Sequence, residues 1–447
     1  MYHLAWFQGC VLPPWNHNIE TPFVGNVAYE WPSAENFSDL ARSLERGGFT
    51  FLLMEDTTQV DDHYGGTAEV TLKRGFFSPK HDPFPVALKM ALATKHLGFA
   101  PTISSSLSHP WPVARMLTTL DHLTEGRIGM NVVTSTQHNA ARNFGMDELP
   151  PKTIRYEMAN EWCEIFRQLE DAWEDDAIVI DYESGYYADY RKVHTIDFNG
   201  NYFSCRGPLN TIPGPQRHIP MVEAGNSPAG RDLAAHYADA IIGNCMTVDE
   251  MKELIADMDS RVSGYGRDYG DFKTMFLCEP VVAESDDEAK RRHERMMAAK
   301  SAPPNIEWMR YYLDLVVPSI DFSTLELEMT VAEFKKTAVD PETVSIVDKI
   351  FRVPDETTFL EVLSTRGPMM DLGLVGSPET VARKMDELME EVKGDGFLLN
   401  AGGGTVEAAG RRTVVEICDG LCPALQRRGS IRTGYEHKTF RENLLAY

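Results

Sequence analysis

The residues of this 447-residue chain that could do chemistry are polar side chains placed where short apolar runs stop. GRIGMNVVTS (126–135) ends in Asn131, Thr134 and Ser135, and three other runs end alike: Glu55 and Asp56 follow TFLLM (50–54), Thr102 and Ser104 to Ser106 follow LGFAP (97–101), and Gly225, Asn226 and Ser227 follow PMVEA (220–224). Each group alone suits a turn; together, hydroxyl, amide and carboxylate groups converging on one mouth suit a small ligand. Ser227 before Pro228 is also a helix start, with Ser as N-cap and Pro at the first helical position. The exposed N–H groups and positive end of such a helix bind anions, and Gly225 allows close backbone approach, so phosphate is the natural guest. AGGGT (401–405) reads either as a second phosphate cradle or as a flexible loop.

Other chemistries find less support. Asp56 with Glu223 or Glu279 would make a glycosidase-type carboxylate pair, but one sequence does not give their separation. The thirteen histidines form no HExxH or His-x-His, and no Cys-x-x-Cys occurs, so no metal site is expected. Gly-x-Ser-x-Gly is also missing, which argues against an α/β-hydrolase nucleophile. A balance of 67 acidic against 43 basic residues, net −24, disfavours binding to a phosphate backbone, so no nucleic-acid partner is expected. The seven cysteines, at 10, 163, 205, 245, 278, 418 and 422, are odd in number and scattered, which suggests a reducing compartment. MYHLAWFQGCVLPPW lacks the features of a secretion signal and no eighteen apolar residues run together; a cytoplasmic protein without a membrane anchor is expected.

The elements that position these groups alternate. Short apolar runs at 3–8, 50–54, 97–101, 127–133, 220–224, 238–243, 274–283 and 396–400 are separated by amphipathic segments near 35–47, 84–95, 111–123, 156–173, 228 onward, 248–262 and 377–393. Eight strands with intervening helices predict a (β/α)8 TIM barrel, α/β in class, spanning 1–447 as one domain with insertions at about 57–82, 176–218 and 301–370. An open doubly wound sheet is the rival, and the lack of Gly-x-Gly-x-x-Gly after the first strand counts against its dinucleotide-binding form. In the second insertion Asn199-Gly200 reads as a two-residue hairpin turn. The polar and aromatic tail after Leu425 is expected to wrap the barrel or a neighbouring subunit.

Several blocks together resemble the bacterial-luciferase-like superfamily of flavin-dependent monooxygenases, and within it the nitrilotriacetate and dibenzothiophene-sulfone monooxygenase group. They include LERGGFTFLLMED (44–56), the GRIGMNVVTS block with AARNFG (140–145), RYEMANEW (155–162) and EAGNSPAGRDLAAHYADA (223–240). The resemblance implies a barrel that takes reduced FMN (FMNH2) from a separate NAD(P)H-dependent flavin reductase and uses O2 to oxygenate a small organic substrate. It further implies a homodimer or homotetramer. Carried over by position, Asp56, Thr102 and Asn131 would surround the flavin ring, with Thr102 and Asn131 bordering the oxygen site as the catalytic pair. Ser135, Tyr156 and Ser227, with Gly225 and Asn226 in the same turn, would hold the ribityl phosphate. Two departures leave substrate choice open: Met130 stands where the group usually has Trp, and Lys152-Thr153 where His-Asp is common. By strand alternation Met130 faces away from Asn131 and packs; His138 is either a solvated loop residue or a substrate contact. A deazaflavin-dependent oxidoreductase and a non-catalytic flavin-binding protein are the alternatives.

Overall fold

The computed structural model describes residues 1–10, 31–75, 77–299, 303–317, 320–337, 353–365, 372–400 and 411–447, with Val344, Val347 and Phe351. Eight parallel strands close into a barrel in which every strand pairs with its sequence neighbours and the last pairs with the first. They are β1 (His3–Gly9), β2 (Phe51–Glu55), β3 (Gly98–Ser104), β4 (Met130–Val133), β5 (Met221–Glu223), β6 (Ala240–Gly243), β7 (Lys273–Cys278) and β8 (Gly396–Leu399). The helices that return the chain are α1 (Glu35–Arg46), α2 (Pro83–Leu92), α3 (Pro110–Leu123), α4 (Lys152–Asp171), α5 (Pro228–Tyr237), α6 (Val248–Gly264) and α7 (Pro378–Val392). In α1 the apolar Phe37, Leu40, Ala41 and Leu44 repeat at helical spacing, and that stripe is the buried face.

Alternation along the strands divides the core in two. Ala5, Phe51, Leu53, Ala100, Val222, Ala240, Met275 and Leu398 fill the barrel interior. Their neighbours Leu4, Trp6, Leu52, Phe99 and Met130 belong to the shell between strands and helices. The tail enters the interior from below: Phe440 and Leu444, on a short capped helix, join the inner cluster. A Cβ on Gly98 or Gly129, near the starts of β3 and β4, would stand 2.6 Å from the Phe440 ring. The N-terminal end of the barrel is therefore plugged by the chain's own tail, and the C-terminal end is the one that carries the polar groups.

The first and third insertions stand on that C-terminal end. The first contributes a turn at Tyr64–Gly66 and a helix at Glu69–Arg74, and the third a helix at Pro303–Val316. Trp308, Tyr311, Leu313, Phe322, Phe351 and Phe359 form a separate apolar cluster against which Tyr64, Val70 and Phe77 of the first insertion pack. His63 Nδ1 lies 2.6 Å from Asp314 Oδ2 and ties the two insertions together.

Some boundaries differ from the sequence expectation. β3 runs on to Ser104, so Thr102 lies inside the strand. β4 begins only at Met130, because the buried Arg127 turns its guanidinium to the Ala91 and Thr124 carbonyls, leaving one bridge between Phe99 and Ile128. The 198–205 hairpin forms, but Phe198 pairs with Cys205 and Asn199 with Ser204, so its loop has four residues. The Glu161 carboxylate accepts from the N–H groups of Asn201, Tyr202 and Phe203, and a bond from Gly200 N–H to the Phe203 carbonyl closes that wider loop. The third insertion starts earlier than expected: a parallel bridge of Val281–Val282 with Val375–Gly376 closes its base, and a helix at Asp286–Ala299 follows. AGGGT (401–405) lies outside the described residues.

Candidate active site

Thr102 and Asn131 are register partners on adjacent strands, both pointing inward by alternation with Ala100 and Met130. They are 5% and 4% exposed. Asn131 Nδ2 donates to Thr102 Oγ1 at 2.8 Å. The other end of that amide, Oδ1, is buried and has no hydrogen-bond partner. An acceptor left so in a dry interior costs roughly 1–3 kcal/mol, so any group that brings a donor to this oxygen is held there.

On the neighbouring side, the loops after β3 and β4 are knitted by serines. Ser135, at a left-handed φ of 58°, donates to Ser104 Oγ at 2.7 Å. Ser105 and Ser106 donate to the Val133 and Thr134 carbonyls. Tyr156, early in α4, meets Ser227, the N-cap of α5: Ser227 Oγ donates to the Tyr156 hydroxyl at 3.2 Å and accepts from Gly230 N–H at 3.2 Å. Burial raises the Tyr156 phenol, which keeps it a neutral donor, and the Thr134 hydroxyl also faces it. Ser135 and Tyr156 thus meet through Thr134, and Tyr156 and Ser227 directly, so these groups share one corner at the ends of β4 and β5.

Gly225 and Asn226 in the same turn have intramolecular partners. The Gly225 N–H bonds the carboxylate of buried Glu223. Asn226 bridges to β6, donating to the Ile242 carbonyl at 3.3 Å and accepting from Asn244 N–H at 3.2 Å. Asp56 stands just past β2, half-buried; burial pushes its carboxyl up to about 6, with Glu55 and Asp82 adding and Lys80 opposing. Glu55 itself is paired with Lys80 Nζ at 2.8 Å. Across the mouth, Asn400 donates to Glu279 Oε1 at 2.6 Å, and Tyr312 from the third insertion faces that carboxylate. Asp56, Glu223 and Glu279 each have a different set of neighbours.

Met130 is fully buried in the outer shell, as alternation requires. His138 opens a short helix, His138–Asn143. Sequence reasoning missed Lys80, Asn400 and Tyr312. Asn400 closes the run GFLLN, so the strand-end rule itself could have found it; Lys80 and Tyr312 lie in insertions with no local pattern. Among the described residues no cluster of three His, Cys, Asp or Glu side chains is placed to hold a metal ion.

A family model described as luciferase-like monooxygenase matches residues 20–395. The long-chain alkane monooxygenase of Geobacillus thermodenitrificans is 32% identical over 439 residues, covering 95% of this chain and 92% of that protein. Nitrilotriacetate monooxygenase component A of Aminobacter aminovorans is 28% identical, over 91% of this chain and 89% of that one. The crystal structure of DmoA from Hyphomicrobium sulfonivorans superposes with a TM-score of 0.83 at 29% identity, covering 100% of this chain and 92% of that one. The chain belongs to the luciferase-like family of flavin-dependent monooxygenases.

Proposed function

We propose that this protein is the oxygenating component of a two-component system, taking FMNH2 from a separate NAD(P)H-dependent flavin reductase and using O2 to oxygenate a small organic substrate. The observation that carries the reading is the buried, unpartnered Asn131 Oδ1 beside Thr102, an acceptor suited to an N–H of a reduced flavin ring. When bound, reduced FMN supplies the activation of O2 and the transfer of one oxygen atom. The protein supplies placement and dryness. Thr102 holds the Asn131 amide, Asn131 Oδ1 accepts from the ring, and the two insertions over the mouth exclude water. Asp56, with its carboxyl near 6, exchanges a proton close to neutral pH at the ring edge. Ser135, Tyr156 and Ser227, within the turn built by Gly225 and Asn226, take the ribityl phosphate with neutral donors and the first turn of α5.

The name of one relative, component A of nitrilotriacetate monooxygenase, supports a separate reductase partner. A homodimer or homotetramer is part of the same proposal and is checked by light scattering. So is a cytoplasmic setting, in keeping with seven free, buried cysteines; among the described residues no helix is long and apolar enough to cross a membrane. The test is substitution of the inner pair. With supplied FMNH2 and O2, Thr102→Ala and Asn131→Ala should lower oxygenated product from a responsive substrate by about a hundredfold or more, the scale seen when one preorganised polar group is removed. Oxidised FMN should still bind both variants. Full turnover by both would remove their assigned role.

A further inference from the structure

The phosphate corner contains one ionisable group that the flavin reading leaves without a role. Glu223, the last residue of β5, is 4% exposed. Its carboxylate takes the N–H of Gly225, and the turn closes tightly around it: a Cβ at Gly225 would stand 2.7 Å from Glu223 Oε1, and one at Gly230 would stand 2.7 Å from the Gly225 carbonyl. The turn that presents Ser227 is therefore moulded on this side chain.

Among the described residues no cation offsets the carboxylate. The titratable groups that face it are Tyr156 and Cys163 of α4, and burial raises both, so each is neutral at physiological pH. Its register partner on β6 is Ile241, and on β4 the adjoining pair is Asn131 with Val222. On α5 the nearest charges, Arg231 and Asp232, are turned to Asp257 and Arg261 of α6. A flavin phosphate at Tyr156 and Ser227 would bring a second anion against this buried carboxyl, and above about pH 6 that phosphate is largely doubly charged. Two like charges in one dry corner are not both ionised without cost.

We propose that Glu223 is the positioning residue of the phosphate corner: it shapes the Gly225 turn, and it must carry a proton at its carboxyl while phosphate is docked. The inference rests on the flavin reading and adds a regulation to that site, since FMN binding then takes up a proton whenever Glu223 was ionised beforehand. Burial, opposed by the Gly225 bond, pushes the free carboxyl up to about 8. The sign follows: the binding-competent, protonated form dominates below that value and is lost above it.

The experiment is titration of the purified full chain with FMN and with riboflavin, which lacks the phosphate, followed by flavin fluorescence from pH 7 to pH 9. The FMN affinity should fall about tenfold over that range as a single acid titrates, and riboflavin affinity should stay level. Glu223→Gln keeps the shape without the charge and should bind FMN equally well throughout. Calorimetry of the unaltered protein at pH 8.5, in two buffers of different ionisation enthalpy, should show proton uptake with FMN and none with riboflavin; this arm needs no variant. A level FMN affinity, a slope retained in Glu223→Gln, or absence of proton uptake would overturn the inference. If both flavins bind without a pH slope, only this inference fails; if neither binds, the flavin reading fails with it.

Discussion

Asn131 and Ser227 show how differently a polar side chain is used in one mouth. Asn131 spends its N–H on Thr102 and keeps a buried carbonyl oxygen unpaired, an arrangement that is costly unless something regularly pairs with it. Ser227 has already committed its one hydrogen: it donates to the Tyr156 hydroxyl while capping α5 by accepting from Gly230 N–H. A phosphate at this corner has to share or replace those bonds. Ser227→Ala should therefore act twice, removing an N-cap at about 0.5–2 kcal/mol and a hydroxyl donor to a charged group at about 1.5–3 kcal/mol. Titration should show FMN affinity reduced about tenfold or more, with riboflavin affinity unchanged; equal loss for both flavins would mean that the serine only shapes the fold.

At the level of elements, the tail is as much a part of the barrel as its strands. Phe440 fills the inner cluster between Gly98 and Gly129, its backbone N–H bonds the Gly126 carbonyl, and Arg441 N–H bonds Gln216. Phe440→Ala should lower stability by about 3–5 kcal/mol, seen as a shift of the denaturant midpoint. FMN binding below the transition should persist, since the polar mouth is at the opposite end. The strands were legible in the sequence because alternation and apolar runs report burial directly, and Met130 against Asn131 was resolved by that rule alone. What was not legible depends on partners far along the chain. The four-residue loop at 200–203 is held by Glu161, forty residues away; the late start of β4 by Arg127 turning to α2; the occupant of the inner core by a tail more than three hundred residues after β3. The same holds in the mouth. Thr102 and Asn131 read as strand-end residues, yet they lie within β3 and β4, and the hold of Glu223 on Gly225 required knowing that the carboxylate folds back on its own turn.

For the whole molecule, the barrel divides its labour by end: a lower end plugged by the tail, and an upper half in which Thr102 and Asn131 point inward from within β3 and β4 while Asp56, Ser135 and Ser227 stand on the loops beyond β2, β4 and β5, with Tyr156 approaching from α4. The first and third insertions share an apolar cluster and the His63–Asp314 contact, so they cover that rim as a joined wall rather than as separate loops. The net charge of −24 makes this an acidic body, and the FMN proposed for it is itself an anion, which suits the hydrogen-bonding character of the Ser227 corner. The claim on which the rest depends is that these scattered groups close around one flavin, and a crystal structure of the protein with reduced FMN bound tests it most directly. The expected result is a flavin ring within hydrogen-bond distance of Asn131 Oδ1, with the phosphate against Tyr156 and Ser227. A flavin bound at any other place, or one whose phosphate lies away from the N-terminus of α5, would contradict it.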